Sequence, residues 1–187
     1  NTWTHVVANL SSATILPILI SYQMEGNVTN LGSDPLLNGT LVGTASYNSS
    51  VFKRGTQSLL SNISSYISIP TVSLNNASGL TIAFWFYRTT IGTETFVRFG
   101  GNNDTLQINS YGVNSTSYNM YLSVSPYFNN VFYQYTGINV WNHFAVTLTY
   151  STNNTSTHKV YADGVLRSTT TGLRYPSVTY NTNNIAG

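Results

Sequence analysis

The chain contains no cysteine and very little charge. Without cysteine, neither a disulfide framework nor a thiolate metal site is possible. Charged residues make up only 6% of the 187 residues, against roughly 25% in an average soluble domain. The seven Lys and Arg residues stand almost singly, so there is no basic stripe of the kind that nucleic-acid binding requires. The longest apolar run, residues 13–20, is much shorter than a membrane span. We therefore predict no nucleic-acid partner and no membrane insertion.

The residues that are present favour an all-β fold. Hydrophobic residues make up 41% of the chain, which is ample for a core, and Ser, Thr and Asn supply most of the polar surface. Short runs with alternating polarity recur between Gly, Asn, Pro and Ser, and no long stretch has helical periodicity. This pattern predicts two packed antiparallel sheets. The candidate strands are Ile18–Met24, Ser65–Ile69, Leu80–Arg88, Thr95–Phe99, Thr105–Asn109, Met120–Ser125, Val131–Tyr135, His143–Tyr150, Lys159–Ala162 and Val165–Thr169.

Two of these segments carry more detailed predictions. The segment Leu80–Arg88 is apolar on both alternations, which indicates a central strand covered on both sides. Asp163-Gly164 supplies the positive φ angles of a tight type I′ turn, so a hairpin is expected there and Asp163 needs no ligand to explain it.

His143 is interpreted as a structural histidine on the outer face of its strand, and His158 as an exposed residue at a loop end. The core face of the same strand is predicted to be Phe144, Val146, Leu148 and Tyr150.

Five motifs in order carry a family resemblance over most of the chain. They are SYQMEGN (with Glu25 where Asp is usual), GTLVGTASYNSSVFKRGTQSLLSNISSYISIP, LTIAFWFYR, WNHFAVTLT and VYADG. The chain resembles a laminin-G-type, concanavalin A-like lectin–glucanase module, which implies an all-β, two-sheet antiparallel jelly-roll sandwich. Its style, rich in Asn, Thr and Tyr, also resembles copies of this module in surface proteins of large DNA viruses of algae and protists.

The resemblance has two departures. A further strand follows the segment NIAG in the family, whereas the sequence printed here stops at Gly187. We therefore expect residues 18–187 to form a laminin-G-like jelly-roll domain that lacks its final strand or takes it from elsewhere. Trp3 and His5 repeat the spacing of Trp141 and His143, so we interpret residues 1–17 as the tail of a preceding copy. Chance similarity between two strands is the alternative.

The acidic residues and histidines do not predict an enzyme. Jelly rolls of this type include glycosidases, which need two carboxyl groups about 5–9.5 Å apart. No two of the five carboxylates share a strand face, and no nucleophile elbow is present. The histidine spacing does not support zinc. Family members often carry one Ca²⁺ at the sandwich rim, so the resemblance implies calcium as a cofactor. Its candidate ligands are Glu25, Asn27, Asp34, Asn102 and Asp104.

A tyrosine- and asparagine-rich segment, residues 110–137, is the predicted recognition surface. Aromatic rings stack on the apolar faces of sugars, while amides and hydroxyls bind sugar hydroxyls, so this composition suits an uncharged glycan. The candidate ligand-binding residues are Tyr111, Tyr118, Tyr127, Asn129, Asn130, Tyr133 and Tyr135. We predict a non-catalytic module that binds glycans or glycoproteins outside the cell or at a virion surface. The alternatives are a structural component that self-associates or packs against neighbouring copies, and a glycoside hydrolase.

Overall fold

A computed structural model describes residues 2–10, 18–62, 64–75, 77–100, 105–124, 131–176 and 179–185, and these residues contain strands and no helix. The strands are β1 (Thr2–Leu10), β2 (Ile18–Tyr22), β3 (Thr40–Val42), β4 (Ser46–Asn48), β5 (Ser58–Leu60), β6 (Tyr66–Ile69), β7 (Val72–Ser73), β8 (Gly79–Tyr87), β9 (Glu94–Phe99), β10 (Leu106–Gly112), β11 (Ser117–Val124), β12 (Val131–Thr136), β13 (Trp141–Tyr150), β14 (Thr155–Ala162), β15 (Val165–Arg174), β16 (Thr179–Tyr180) and β17 (Asn183–Ile185).

The strands form two large antiparallel sheets, which confirms the predicted sandwich. One sheet has eight strands in the order β15-β14-β13-β8-β1-β5-β4, with β2 also paired to β1. The other has seven strands in the order β12-β11-β10-β9-β17-β6-β3. A short third sheet pairs β7 with β16. All ten candidate strands are present, and the buried apolar side chains of the two large sheets form one core between them.

The central position predicted for the LTIAFWFYR strand is confirmed. Strand β8 lies between β13 and β1, and its inward residues are buried while the alternate residues are half-buried. Phe84 packs on rings from both sheets, including Phe96 with centroids 5.7 Å apart. On β13, Phe144, Val146 and Leu148 are buried as predicted. Tyr150 is not, because the strand ends there beyond the edge of the core; its side chain is 45% exposed and contacts Tyr175 edge-on.

The β14–β15 hairpin has the predicted turn. Asp163 and Gly164 adopt φ angles of 51° and 79°, and Ala162 pairs directly with Val165 across the two-residue loop. The prediction for His158 is wrong. Strand β14 begins earlier than expected, at Thr155, so His158 lies inside it on the core face and is completely buried.

Strand β15 forms an outer edge of the eight-stranded sheet and is irregular. Opposite β14 it carries one extra residue between Leu166 and Ser168 and another between Thr170 and Leu173. Each extra residue is a β-bulge, and Gly172 in the second bulge has a φ of 74°. The longest run in regular register with β14 is residues 168–170, between the two bulges, and only two residues pair regularly on either side of it.

The first strand belongs to the sandwich. Strand β1 pairs with β8 on one side and with β2 and β5 on the other. His5 and His143 occupy the positions opposite Trp85 on its two neighbouring strands. The interpretation of residues 1–17 as the tail of a preceding copy concerns the origin of this segment and stays a prediction. Strand β17, which contains part of the NIAG segment, lies between β6 and β9.

Candidate functional site

The outward side of the seven-stranded sheet is lined by polar residues. In β10, Leu106, Ile108 and Ser110 are completely buried towards the core, so by strand alternation Gln107, Asn109 and Tyr111 face the other way. The same alternation on β11 and β9 turns Asn119, Tyr121, Ser123 and Arg98 outward. We call this surface the polar face; its residues are Arg98, Gln107, Asn109, Tyr111, Asn119, Tyr121 and Ser123.

The register of the strands places these side chains in rows across the sheet. Adjacent strands are roughly 4.8 Å apart, so residues in one row are near neighbours. Three rows result: Arg98 with Gln107 and Ser123, Asn109 with Tyr121, and Tyr111 with Asn119 and Gln134. Aromatic rings and amide groups therefore lie side by side on one surface.

Two buried polar atoms on this face lack a partner among the described residues. Asn109 and Ser123 are 5% and 1% exposed, and neither Asn109 Oδ1 nor Ser123 Oγ makes a hydrogen bond there. A buried polar atom without a partner costs about 1–3 kcal/mol, and such atoms are rare enough to indicate an enclosed site for a water molecule beneath the polar face.

A cleft of about 290 Å³ lies at one end of the polar face. One wall is residues 91–93, which precede β9, and the other is residues 111–114, at the β10–β11 turn. Tyr111 belongs to both the polar face and the cleft, and its side chain is 58% exposed. Asn114 caps its own turn, because its Oδ1 accepts the backbone N–H groups of Thr116 and Ser117. No charged side chain lines the cleft.

Arg88 is completely buried behind this cleft. Alternation along β8 places it after Phe84 and Phe86 on the core side, where its guanidinium lies 4.5 Å from the centre of the Tyr118 ring. The guanidinium donates to Ser110 Oγ at 2.9 Å and to the carbonyl oxygen of Gly92 at 3.0 Å. Glu94 lies 3.5 Å away and forms an ion pair with it. A buried cation is thereby compensated by one carboxylate and two hydrogen bonds.

The structure separates the predicted ligand-binding tyrosines. Tyr111 is exposed, and Tyr133 is half-buried under the guanidinium of Arg167, 5.0 Å from its ring centre. Tyr118 and Tyr135 are 0% and 4% exposed, so they cannot contact a ligand, and the prediction is corrected for these two. Their rings stack in the core with centroids 5.7 Å apart, and burial raises the pKa of both hydroxyls.

The remaining predicted residues of this group, Tyr127, Asn129 and Asn130, lie outside the described residues. Sequence analysis missed Asn109, Tyr121 and Ser123. Their signal is the run of polar residues at every second position in two strands whose other positions are mainly apolar. That pattern identifies an outward face. Which residues of neighbouring strands lie side by side in a row depends on the register between the strands, and no single strand reveals that register.

Glu25, a predicted calcium ligand, already has protein partners. Its carboxylate accepts hydrogen bonds from the backbone nitrogen of Thr56 at 3.0 Å and from Thr56 Oγ1 at 2.8 Å. Burial by itself would raise the pKa of the Glu25 carboxyl, but these bonds and one from the backbone of Gln57 outweigh it, so the pKa is lowered. The carboxylate therefore anchors the loop between β4 and β5.

The other calcium candidates are engaged in turns or lie outside the described residues. Asn27 Oδ1 accepts the backbone N–H of Thr29, and Asp34 Oδ1 accepts that of Leu36. Asn102 and Asp104 fall in the segment that the structure leaves undescribed. In the part of the chain that is described, no three His, Asp or Glu side chains cluster in a way that would hold a metal ion. Calcium binding stays a prediction.

A buried serine–histidine pair is present but sealed. Ser156 Oγ and His158 Nε2 share a hydrogen bond of 2.7 Å, and both side chains are completely buried. Burial lowers the pKa of His158 to about 4, so the ring is neutral at pH 7. The carbonyl oxygens of Leu173 and Arg174 both lie 3.2 Å from Ser156 Oγ and compete for its single hydroxyl proton. No substrate can reach this hydroxyl, so the pair is part of the packing between β14 and β15.

Comparison with known families identifies the superfamily to which the chain belongs. A family model described as the concanavalin A-like lectin/glucanases superfamily matches residues 60–187. The chain belongs to this superfamily, whose name covers both sugar-binding proteins and enzymes. No curated protein sequence matches the chain. Nowhere in the described part of the chain is there a helix long and apolar enough to cross a membrane.

Solved structures resemble this chain at low sequence identity. Domain 4 of AbnA, a GH43 extracellular arabinanase from Geobacillus stearothermophilus in complex with arabinotriose, is 17% identical, with a TM-score of 0.60 over 100% of this chain and 84% of that one. The binding domain of botulinum neurotoxin DC in complex with SialylT is 15% identical, with a TM-score of 0.49 over 97% and 44% of the two chains. An endo-β-1,4-glucuronan lyase from the fungus Trichoderma reesei is 11% identical, with a TM-score of 0.36 over 94% and 82%.

Proposed function

We propose that the chain is a non-catalytic module that binds an uncharged glycan, free or on a glycoprotein, on its polar face, and that it acts outside the cell or at a cell or virion surface. The observation that carries the proposal is the polar face itself. It combines an exposed ring at Tyr111 with the half-buried ring of Tyr121 and the half-buried amides of Asn119 and Gln107 on neighbouring positions of the sheet. Rings and fixed amides on one rigid sheet are what sugar recognition requires.

The absence of charged side chains from the cleft supports an uncharged ligand there, because Arg98, the charged residue of the polar face, lies two rows away from Tyr111. The cleft at Tyr111 is lined by apolar, hydroxyl, amide and backbone groups. The nearest charges described, Arg88 and Glu94, compensate one another. An acidic sugar would find no cation in the cleft to offset the loss of its hydration, so it should bind more weakly than a neutral one.

The state of the carboxylates supports a binding role over hydrolysis. Each of the four described carboxylates already has a structural partner: Glu25 the loop at Thr56, Asp34 its own turn, Glu94 the Arg88 guanidinium, and Asp163 the backbone of His143. Glycoside hydrolysis needs an acid and a second carboxylate facing one sugar bond. No two of these four are placed as such a pair by the contacts that they make.

The test is an array of neutral and acidic mono- to tetrasaccharides, including arabinotriose, probed with the purified chain in Ca²⁺ and again in EDTA. We expect selective binding to neutral saccharides, reduced roughly tenfold or more by Tyr111→Ala and Tyr121→Ala, which each remove a stacking ring. Tyr150→Ala is the matched control, because this ring is also exposed but lies on the other sheet. Loss of saccharide binding in EDTA would show that binding also requires calcium.

A blank array at millimolar protein concentration in both buffers would contradict the proposal. Release of shortened products from the same saccharides would replace it with a hydrolase. Ordered self-association together with a blank array would favour the structural alternative, in which copies of the module pack into a surface layer.

A further inference from the structure

Arg88 connects the two walls of the cleft from behind. One guanidinium nitrogen, Nη2, donates to the carbonyl oxygen of Gly92 in the first wall. The other, Nη1, donates to Ser110, the residue before Tyr111 in the second wall. Because both nitrogens belong to one planar group, the distance between their partners is fixed by the guanidinium.

The two walls also meet directly, at Ile91 and Gly112. A Cβ atom added to Gly112 would lie 2.6 Å from the Cγ2 methyl of Ile91, a distance that real Cβ atoms do not tolerate. The walls are therefore already in contact at this point, and glycine is the residue that permits it. Both residues of this contact line the cleft together with Tyr111.

Burial makes this connection rigid. Arg88 is 0% exposed, its ion pair with the partly buried Glu94 is screened less by salt than an exposed pair, and its flat group lies against the ring of Tyr118. Water cannot replace these bonds without opening the core, so the walls have little freedom to separate. A cleft of fixed width discriminates between ligands by size, because a larger ring or a branch would force unpaired polar groups into the walls.

We propose that Arg88 is a positioning residue that fixes the width of the Tyr111 cleft and thereby its size selectivity for sugars. The statement about selectivity rests on the proposed function. The statement about cleft width does not, and it can be measured in the free protein.

The experiment compares Arg88→Met/Glu94→Gln, which removes the ion pair without leaving a lone buried charge, with Arg88→Lys and Gly112→Ala. Lysine keeps a cation beside Glu94 but has no fork to bridge both walls. Gly112→Ala keeps Arg88 and separates the walls by the clash with Ile91. Val146→Ala, in the core of the other sheet, is the control for a general loss of stability.

Two readouts are taken for every variant that unfolds cooperatively. The first is the nuclear Overhauser contact in the free protein between the Ile91 methyl and an α-proton of residue 112, glycine or alanine, which we expect to weaken at least twofold in all three cleft variants and to persist in Val146→Ala. The second is the saccharide array. We expect the strongest neutral saccharide to bind roughly tenfold more weakly and branched or larger saccharides to gain relative signal.

The possible outcomes are distinct. A blank array for the unmodified chain rejects the proposed function, and the Overhauser contact then decides the cleft width alone. A contact that persists in Arg88→Met/Glu94→Gln overturns the inference. A contact that is lost while the order of preferred saccharides stays the same overturns the claim about selectivity. Val146→Ala tests whether a loss of stability alone is enough. If this variant also shows the weakened Overhauser contact and the altered saccharide pattern, Arg88 has a general structural role.

Discussion

The carboxylate of Asp163 accepts a hydrogen bond from the backbone nitrogen of His143, with 2.8 Å between Oδ1 and N. In the opposite direction, the backbone nitrogen of Asp163 donates to the carbonyl oxygen of His143 at 2.9 Å. The same carbonyl also accepts the hydroxyl of Tyr135 at 2.6 Å, which joins β13 to the opposite sheet. The turn residue thus attaches the β14–β15 hairpin to β13, so Asp163 and the backbone of His143 have a structural role.

This relationship predicts a loss of stability without a loss of binding. We expect Asp163→Ala to reduce the free energy of unfolding by about 1–3 kcal/mol, because it removes a charge-assisted bond and places alanine at a φ of 51°. Asp163→Asn tolerates the left-handed backbone and keeps an acceptor, so it should lose less. Urea denaturation measures both variants. An Asp163→Ala protein as stable as the parent, or one with an altered saccharide pattern, would be inconsistent with this role.

Tyr111 should behave in the opposite way. Its ring is 58% exposed, so Tyr111→Ala should change the free energy of unfolding by about 0.5 kcal/mol or less while weakening saccharide binding. Tyr118→Phe is the informative companion, because that hydroxyl accepts a bond from Asn142 Nδ2 at 3.1 Å inside the core. We expect it to cost about 1 kcal/mol and leave binding intact. Titration calorimetry and thermal unfolding separate the two effects.

His158 predicts a dependence of stability on pH. Burial lowers its pKa to about 4 in the folded chain, whereas an unfolded histidine has a pKa near 6.5. The unfolded chain therefore takes up the proton first as the pH falls, so stability is full above pH 6.5 and declines by about 3 kcal/mol as the pH approaches 4. His158→Gln, which does not titrate, should lack this decline when urea denaturation is repeated across the range. Identical slopes for the two proteins would show that other groups cause it.

Gly55 tests the interpretation of Glu25 as a loop anchor. A Cβ at Gly55 would lie 1.8 Å from Glu25 Oε1, and the residue has a φ of 67°. Gly55→Ala should therefore displace the carboxylate from Thr56 and lower the melting temperature. Gly164→Ala is the control for backbone strain alone, because its φ is 79° but nothing lies within 4 Å of the added Cβ. Equal losses in the two variants would mean that Glu25 does not hold the loop.

How far the sequence predicts this fold depends on how clear each alternation is. In β8 and β13 the inward positions are large and apolar, so the strands and the core face follow directly. In β11 tyrosine occurs on both faces, at positions 118 and 121, so composition does not reveal which ring is buried. The polar face and the Arg88 contacts join residues from strands separated by loops, and such contacts follow from tertiary register rather than from any one segment.

The two bulges of β15 have a consequence for copies of the module placed close together. A neighbouring strand can add to a sheet edge only where several successive backbone groups are regularly spaced, and the outer edge of β15 offers three such residues between its bulges. Modules joined in tandem, or crowded on a surface, should therefore fold separately without merging their sheets at this edge. The irregular strand prevents the sheets of neighbouring domains from joining at this edge. Any ordered layer of these modules therefore has to be built through side-chain contacts or another edge.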